Sequence, residues 1–228
     1  MNGHDRNMQA HRSLSTSMVF LLGVVLLSII HLANTTVPCT ENNSKILLKG
    51  VKLARLMNRT TADIIKTYQA YQGDFVEQFC KMSMDNVPAS TLSGQTSSER
   101  VLSIYTRLKE FLPHVKKVLE QQNDLQPPSS PLLPVLSQIK EQINHLVQRV
   151  NCIFQILQPN ILVPEPPAWP TRIPPAQNIF QQKVYGCVVL TRLSEFLSTT
   201  LEELRSLKGR LGKKKKRTGK ELLSNSWN

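Results

Sequence analysis

Between Leu132 and Leu157 the apolar residues Leu132, Leu136, Ile139, Ile143, Leu146, Val150, Ile153 and Leu157 alternate steps of four and three without a miss. Only an α-helix brings such positions onto one face, and a face that long has to be buried against other helices. Pro131 and Pro134 fit only its first turn, where an amide is not needed. Three other stretches share the period. From Lys45 to Tyr71 apolar residues fall at Ile46, Leu53, Met57, Ile64, Tyr68 and Tyr71, and the pattern stops at Gly73. Thr96-Ser97-Ser98-Glu99 spells a capping box ahead of Val101, Tyr105, Leu108, Leu112, Val115 and Leu119, with a kink expected at Pro113. Asn178 to Lys208 begins with a cap answered by Gln181, carries Leu190, Leu193, Leu197, Leu201 and Leu204, and meets a C-terminal break at Gly209 and Gly212. No strand-like alternation competes, so the fold class is all-α.

Connection lengths set the topology. A helix of about 25 residues is roughly 37 Å long, whereas the connection 123–130 spans at most roughly 28 Å extended. The second and third helices must therefore be antiparallel. The Ser/Thr-rich stretch 74–96 and the stretch 159–177, with seven prolines, can each run the length of the bundle. That allows an up-up-down-down four-helix bundle with two long crossover loops. In it Cys39 and Cys152 lie at one end, and Cys80 and Cys187 at the other. Only the pairing Cys39–Cys152 with Cys80–Cys187 then avoids a bridge across the bundle's length.

Ahead of the helices, Arg6 and Arg12 precede the apolar run Met18 to Ile30. The run has signal-peptide length and is short for a membrane anchor. The expected organisation is 1–33 signal peptide, 34–209 helical domain and 210–228 a basic, disordered tail. Secretion agrees with four cysteines able to pair, and with sequons at Asn34, Asn42 and Asn58, of which Asn42 is the best acceptor. Of the 28 basic residues behind a net charge of +12, eight lie between Lys208 and Lys220. The basicity is read as largely that of the tail. Lys213, Lys214, Lys215, Lys216 and Arg217 suit a processing site or a heparin-like polysaccharide.

Tyr71-Gln-Gly73 followed by Cys80, Asn151-Cys152 late in the third helix, and Phe180-Gln-Gln-Lys183 with Gly186-Cys187 opening the fourth resemble the leukaemia inhibitory factor and oncostatin M family. These are long-chain four-helix cytokines of the interleukin-6 type. The resemblance covers most of the chain after residue 33 and is strongest over 177–197; the basic tail leans to the oncostatin M side. It implies a secreted, monomeric, glycosylated cytokine that brings receptor chains together and so triggers kinase and transcription-factor signalling. Phe180 and Lys183 would bind the leukaemia-inhibitory-factor type of receptor. A second site, on the first and third helices, would meet the shared signal-transducing subunit. Its residues do not carry over, because Gly50 and Ala54 stand where that side of the family has glutamines, and His145 and Arg149 where it has a glycine and an asparagine. Around the helical wheel Phe180 lies roughly 100° and Val184 roughly 140° from the centre of the leucine stripe, with Lys183 only about 40° away. The first turns of the last helix thus need a cover of their own, a loop or another protein.

An enzyme reading finds little to stand on. After residue 33 the histidines are His114 and His145, on different helices and without metal-ligand spacing. Both are expected facing solvent or at the core's edge. No nucleophile motif or phosphate loop is present, and no cofactor or metal is expected. The competing reading is a membrane-anchored or nuclear nucleic-acid-binding protein that uses KKKKR for import. It needs the apolar run to remain as an anchor, or to be no signal at all. The secreted reading requires no nucleic-acid partner, and no membrane once the signal is removed.

Overall fold

The computed structural model describes residues 39–73, 78–163, 173 and 178–224, with side chains described as far as Gly212. The expected signal peptide, the sequon at Asn34, most of the proline-rich stretch and the side chains of Lys213 to Arg217 lie outside the described residues.

Four helices make up the fold: α1 Asn43–Gln72, α2 Ser97–Leu125, α3 Leu132–Leu157 and α4 Ile179–Ser224. Three of the four, α1, α2 and α4, start at a side-chain cap for their free amides. Asn42 accepts from the Ser44 amide at 3.0 Å and opens α1. The box at α2 is complete, with the Glu99 amide donating to the Thr96 hydroxyl at 3.2 Å and Glu99 Oε2 accepting from the Thr96 amide at 2.9 Å. α1 ends at Gly73, whose φ of 96° suits a residue without Cβ. α2 runs unbroken through Pro113.

α1 and α2 each pack against α3 and α4. Contacts between ends fix the directions. The bridge between Cys39, ahead of α1, and Cys152, late in α3, makes those two antiparallel. Tyr68, late in α1, bonds to Lys183, early in α4, and Gln72 bonds to Gln122 at the end of α2. The bundle is therefore up-up-down-down, with both disulfides paired as expected at Cα separations of 5.3 Å and 4.9 Å. All four helices contribute to one core, near whose middle Phe111 and Phe196 lie 5.4 Å apart. Truncating such a fully buried aromatic costs roughly 3 to 5 kcal/mol.

Three expectations need correction. α4 does not break at Gly209 or Gly212 but continues to Ser224, across the expected boundary of the helical domain. A helix-interior glycine costs only about 1 kcal/mol, no proline follows, and the next residues are lysines, which are good helix formers. His114 is buried, not at the edge. And the basicity is not only the tail's: the outward face of α1 carries Lys45, Lys49, Lys52, Arg55, Arg59 and Lys66 against a single carboxylate, Asp63.

Candidate functional site

The N-terminal tip of α4 is built from the helix start outward. Asn178 and Gln181 bond reciprocally: the Gln181 amide donates to Asn178 Oδ1 at 2.8 Å, and the Asn178 amide donates to Gln181 Oε1 at 3.1 Å. With its first turn fixed, α4 presents Ile179 and Phe180, which remain 60% and 44% exposed. Val184, one turn on, is buried.

Phe180 is not bare. The Phe79 ring meets it edge to face, centroids 5.4 Å apart and planes at 83°. Phe79 adjoins Cys80, whose bridge to Cys187 pins the α1–α2 crossover against α4. Further along, Arg192 holds the same loop, its guanidinium donating to the carbonyls of Met84 and Val87, both at 2.7 Å. The loop therefore reaches the helix tip, farther than the cover it needed to supply for Val184 and Cys187.

Lys183 is half-buried and tied to α1 twice. Its ammonium donates to the Gln72 carbonyl at 3.4 Å, at the negative end of the α1 dipole. Its own carbonyl accepts from the Tyr68 hydroxyl at 3.1 Å. Tyr68 in turn accepts from Gln122 Nε2 at 3.2 Å, and Gln122 Oε1 accepts from Gln72 Nε2 at 2.7 Å. Burial pushes the Tyr68 phenol well above its usual range, so it stays a neutral donor. The approach is close enough to exclude any side chain at position 186, where a Cβ would lie 2.1 Å from the Tyr68 hydroxyl oxygen. Gly186 is thus required by Tyr68 and not by helix geometry.

Beside Gly186, the Tyr185 hydroxyl and His114 Nδ1 of α2 share a 2.7 Å hydrogen bond. Burial pulls the His114 imidazole down to about 4, so it is neutral at neutral pH. His145 is exposed on α3. The two histidines do not meet, and among the described residues no group of three His, Cys, Asp or Glu could hold a metal. The tip offers an aromatic edge, an aliphatic neighbour and a cation, a composition for binding a protein surface and not for moving protons or electrons.

Phe180, Lys183, Cys80 and Cys187 are gathered at this end. Cys39 and Cys152 lie at the other, with Asn42 exposed beside them; Asn58 sits half-buried on α1. Sequence reasoning missed Phe79, Tyr68, Gln72 and Gln122 as parts of the tip. Tyr68 and Gly186 are legible only as a pair, a large residue facing a glycine, and nothing in the pattern announces that pairing.

Comparison with known proteins bears on most of the chain. Residues 32–221 match the family described as ciliary neurotrophic factor. Ciliary neurotrophic factor of Gallus gallus is 26% identical over 165 residues, covering 69% of this chain and 82% of that protein.

Proposed function

The chain belongs to the ciliary neurotrophic factor family, a cytokine family and not one of enzymes, and from that premise we propose that it is a secreted ligand whose α4 tip engages a receptor of the leukaemia-inhibitory-factor type. The observation that carries the reading is Phe180, left 44% exposed on a rigid edge-to-face support at the capped end of a helix, with Lys183 one turn away. A half-exposed aromatic on a braced surface loses little entropy on binding and anchors interfaces.

A second face, on α1 and α3, meets the shared signal-transducing subunit. His145 is exposed there and Arg149 pairs with Glu41 at 3.5 Å. The narrower kinship with leukaemia inhibitory factor and oncostatin M rests on the residues around Phe180, Lys183 and Gly186-Cys187 and belongs to the same proposal. So do removal of residues 1–33, glycosylation at Asn42, and heparin-like polysaccharide binding by Lys213, Lys214, Lys215, Lys216 and Arg217. Asn42 suits its role: it is exposed, and its Oδ1 caps α1 while a sugar would attach at Nδ2. No described helix is long and apolar enough to cross a membrane.

The test is Phe180→Ala and Lys183→Ala, each assayed for folding and for binding to purified receptor ectodomains. With nearly half of Phe180 already in water, Phe180→Ala should cost only about 1 to 2 kcal/mol of stability. An interface anchor should lose about 2 kcal/mol or more of binding, roughly 30-fold in affinity. A variant that binds normally, or one that loses the 3 to 5 kcal/mol of a core aromatic, would make Phe180 a structural plug and end the assignment.

A further inference from the structure

Helix α1 carries six cations on its outward face and one carboxylate, Asp63, which lies among them between Arg59 and Lys66. On the helical wheel, at about 100° per residue, Lys45, Lys49, Lys52, Arg55, Arg59 and Lys66 fall within an arc of roughly 120° opposite the buried stripe. From Lys45 to Lys66 the helix rises roughly 32 Å. All but Lys49 are exposed, and among the described residues none of those five is in an ion pair. Lys49 is paired with Glu41.

This is not how a merely solvated helix face is arranged. On α2 two of the cations are paired with carboxylates one turn away, Arg107 with Glu110 and Lys117 with Glu120. On α1 each cation from Lys45 to Arg55 has another cation three or four residues on, and each such pair weakens the helix slightly; only Arg59 has a carboxylate, Asp63, that far on. Further cations lie at the level of the start of α1. Counting back along the antiparallel helices from the Tyr68–Lys183 contact brings Lys45 level with about residue 206 of α4. There Arg205 and Lys208 are exposed, and the KKKKR segment follows on the same helix.

The chemistry that fits is a straight polyanion. Single-stranded nucleic acid is held by aromatic stacking platforms interleaved with cations, and this face has none. A membrane-surface helix needs a broad apolar face, whereas this one exposes only Leu48 and Leu56 as large apolar side chains between the cations. We propose that the outward face of α1 is a binding site for a sulfated glycosaminoglycan chain lying along the helix, extended by the C-terminal end of α4. The proposal does not depend on the receptor assignment at the α4 tip. It shifts the larger share of polysaccharide affinity from the tail to the folded body.

Three proteins decide it: the secreted chain, the same chain ended after Leu211, and the full chain with K52Q/R55Q/R59Q. Each is titrated with heparin from 0.15 M to 1 M NaCl, with melting temperature measured in parallel. The truncated chain should still bind heparin in a salt-dependent way. The triple variant, folded and with its tail intact, should bind roughly a hundredfold more weakly at 0.15 M, and its log–log salt slope should flatten by about two to three, one counterion per lost contact. Unchanged binding by the triple variant, or complete loss on truncation alone, overturns the proposal in favour of the tail. Equal binding to unsulfated hyaluronan, phosphatidylserine vesicles or duplex DNA overturns it in favour of another polyanion. A triple variant that keeps heparin but loses a receptor chain makes the stripe a protein interface. Phe180→Ala reads the α4 tip and leaves Lys52, Arg55 and Arg59 untouched, so the receptor reading there fails or stands separately.

Discussion

Replacing Gly186 with alanine sets two opposing terms against each other. In a helix interior the substitution gains about 1 kcal/mol of propensity. Here the added methyl would lie 2.1 Å from the Tyr68 hydroxyl oxygen and 2.7 Å from the ring carbon bearing it. Tyr68 is fully buried and cannot swing into solvent. Relief needs either a shift between α1 and α4, an overpacking cost of roughly 1 to 3 kcal/mol, or loss of the hydrogen bonds to the Lys183 carbonyl and from Gln122, roughly 1 to 3 kcal/mol for buried groups left unpaired. The net is a loss of up to about 2 kcal/mol, and at 2 to 4 °C per kcal/mol the melting temperature falls by up to roughly 8 °C. Two other glycines calibrate the result. At Gly50 the added methyl meets only the flexible Cδ1 of Ile153 at 2.9 Å, and at Gly209 it meets nothing within 4 Å. Gly50→Ala should be near neutral, and Gly209→Ala should raise stability by up to about 1 kcal/mol. Tyr68→Phe should partly rescue Gly186→Ala, because the nearest atom is gone. Thermal unfolding by circular dichroism reads all four proteins. If Gly186→Ala stabilises as Gly209→Ala does, the contact between α1 and α4 is wrong.

The neutral, buried His114 predicts acid sensitivity. Its folded pKa of about 4 lies below the ordinary 6.5, so its contribution is fully present above pH 6.5 and is lost as pH falls toward 4. The loss is up to about 3 kcal/mol, and the difference in urea midpoint between the protein and His114→Gln should shrink over that window; a constant difference would remove His114 as the cause. Each disulfide closes a loop of more than a hundred residues. Cys80→Ser with Cys187→Ser should therefore cost about 2 to 5 kcal/mol, and should loosen Phe79 from Phe180, seen as faster hydrogen exchange or cleavage around residue 79. Protection unchanged there would show that Arg192 alone holds the loop.

Helix positions, caps, topology and disulfides were legible because each rests on local chemistry or simple length: amides seeking Thr96 or Asn178, and a connection too short to cross the bundle. The misses have different causes. Apolar counting favoured Leu53 and Tyr71 on α1, yet the buried stripe also uses Gly50, Ala54 and Thr61, which a count of large apolar side chains passes over. The α4 break failed because glycine weakens a helix without ending it. His114 looked like an edge residue because its partner, Tyr185, is distant in sequence and belongs to another helix. At the tip, Phe180 and Lys183 stood out through a family resemblance; Phe79 and Tyr68, which brace them, became visible only in three dimensions.

The tip's brace contains no group that changes charge in mild acid. Gln72 and Gln122 are amides, and Tyr68 is a phenol held neutral by burial. Acidification therefore acts on the bundle through His114 while leaving the hydrogen bonds around Lys183 intact. As pH falls, the protein should lose global stability before the α4 tip changes shape. A protein built this way keeps the same surface at the α4 tip in neutral and acidic surroundings until it unfolds.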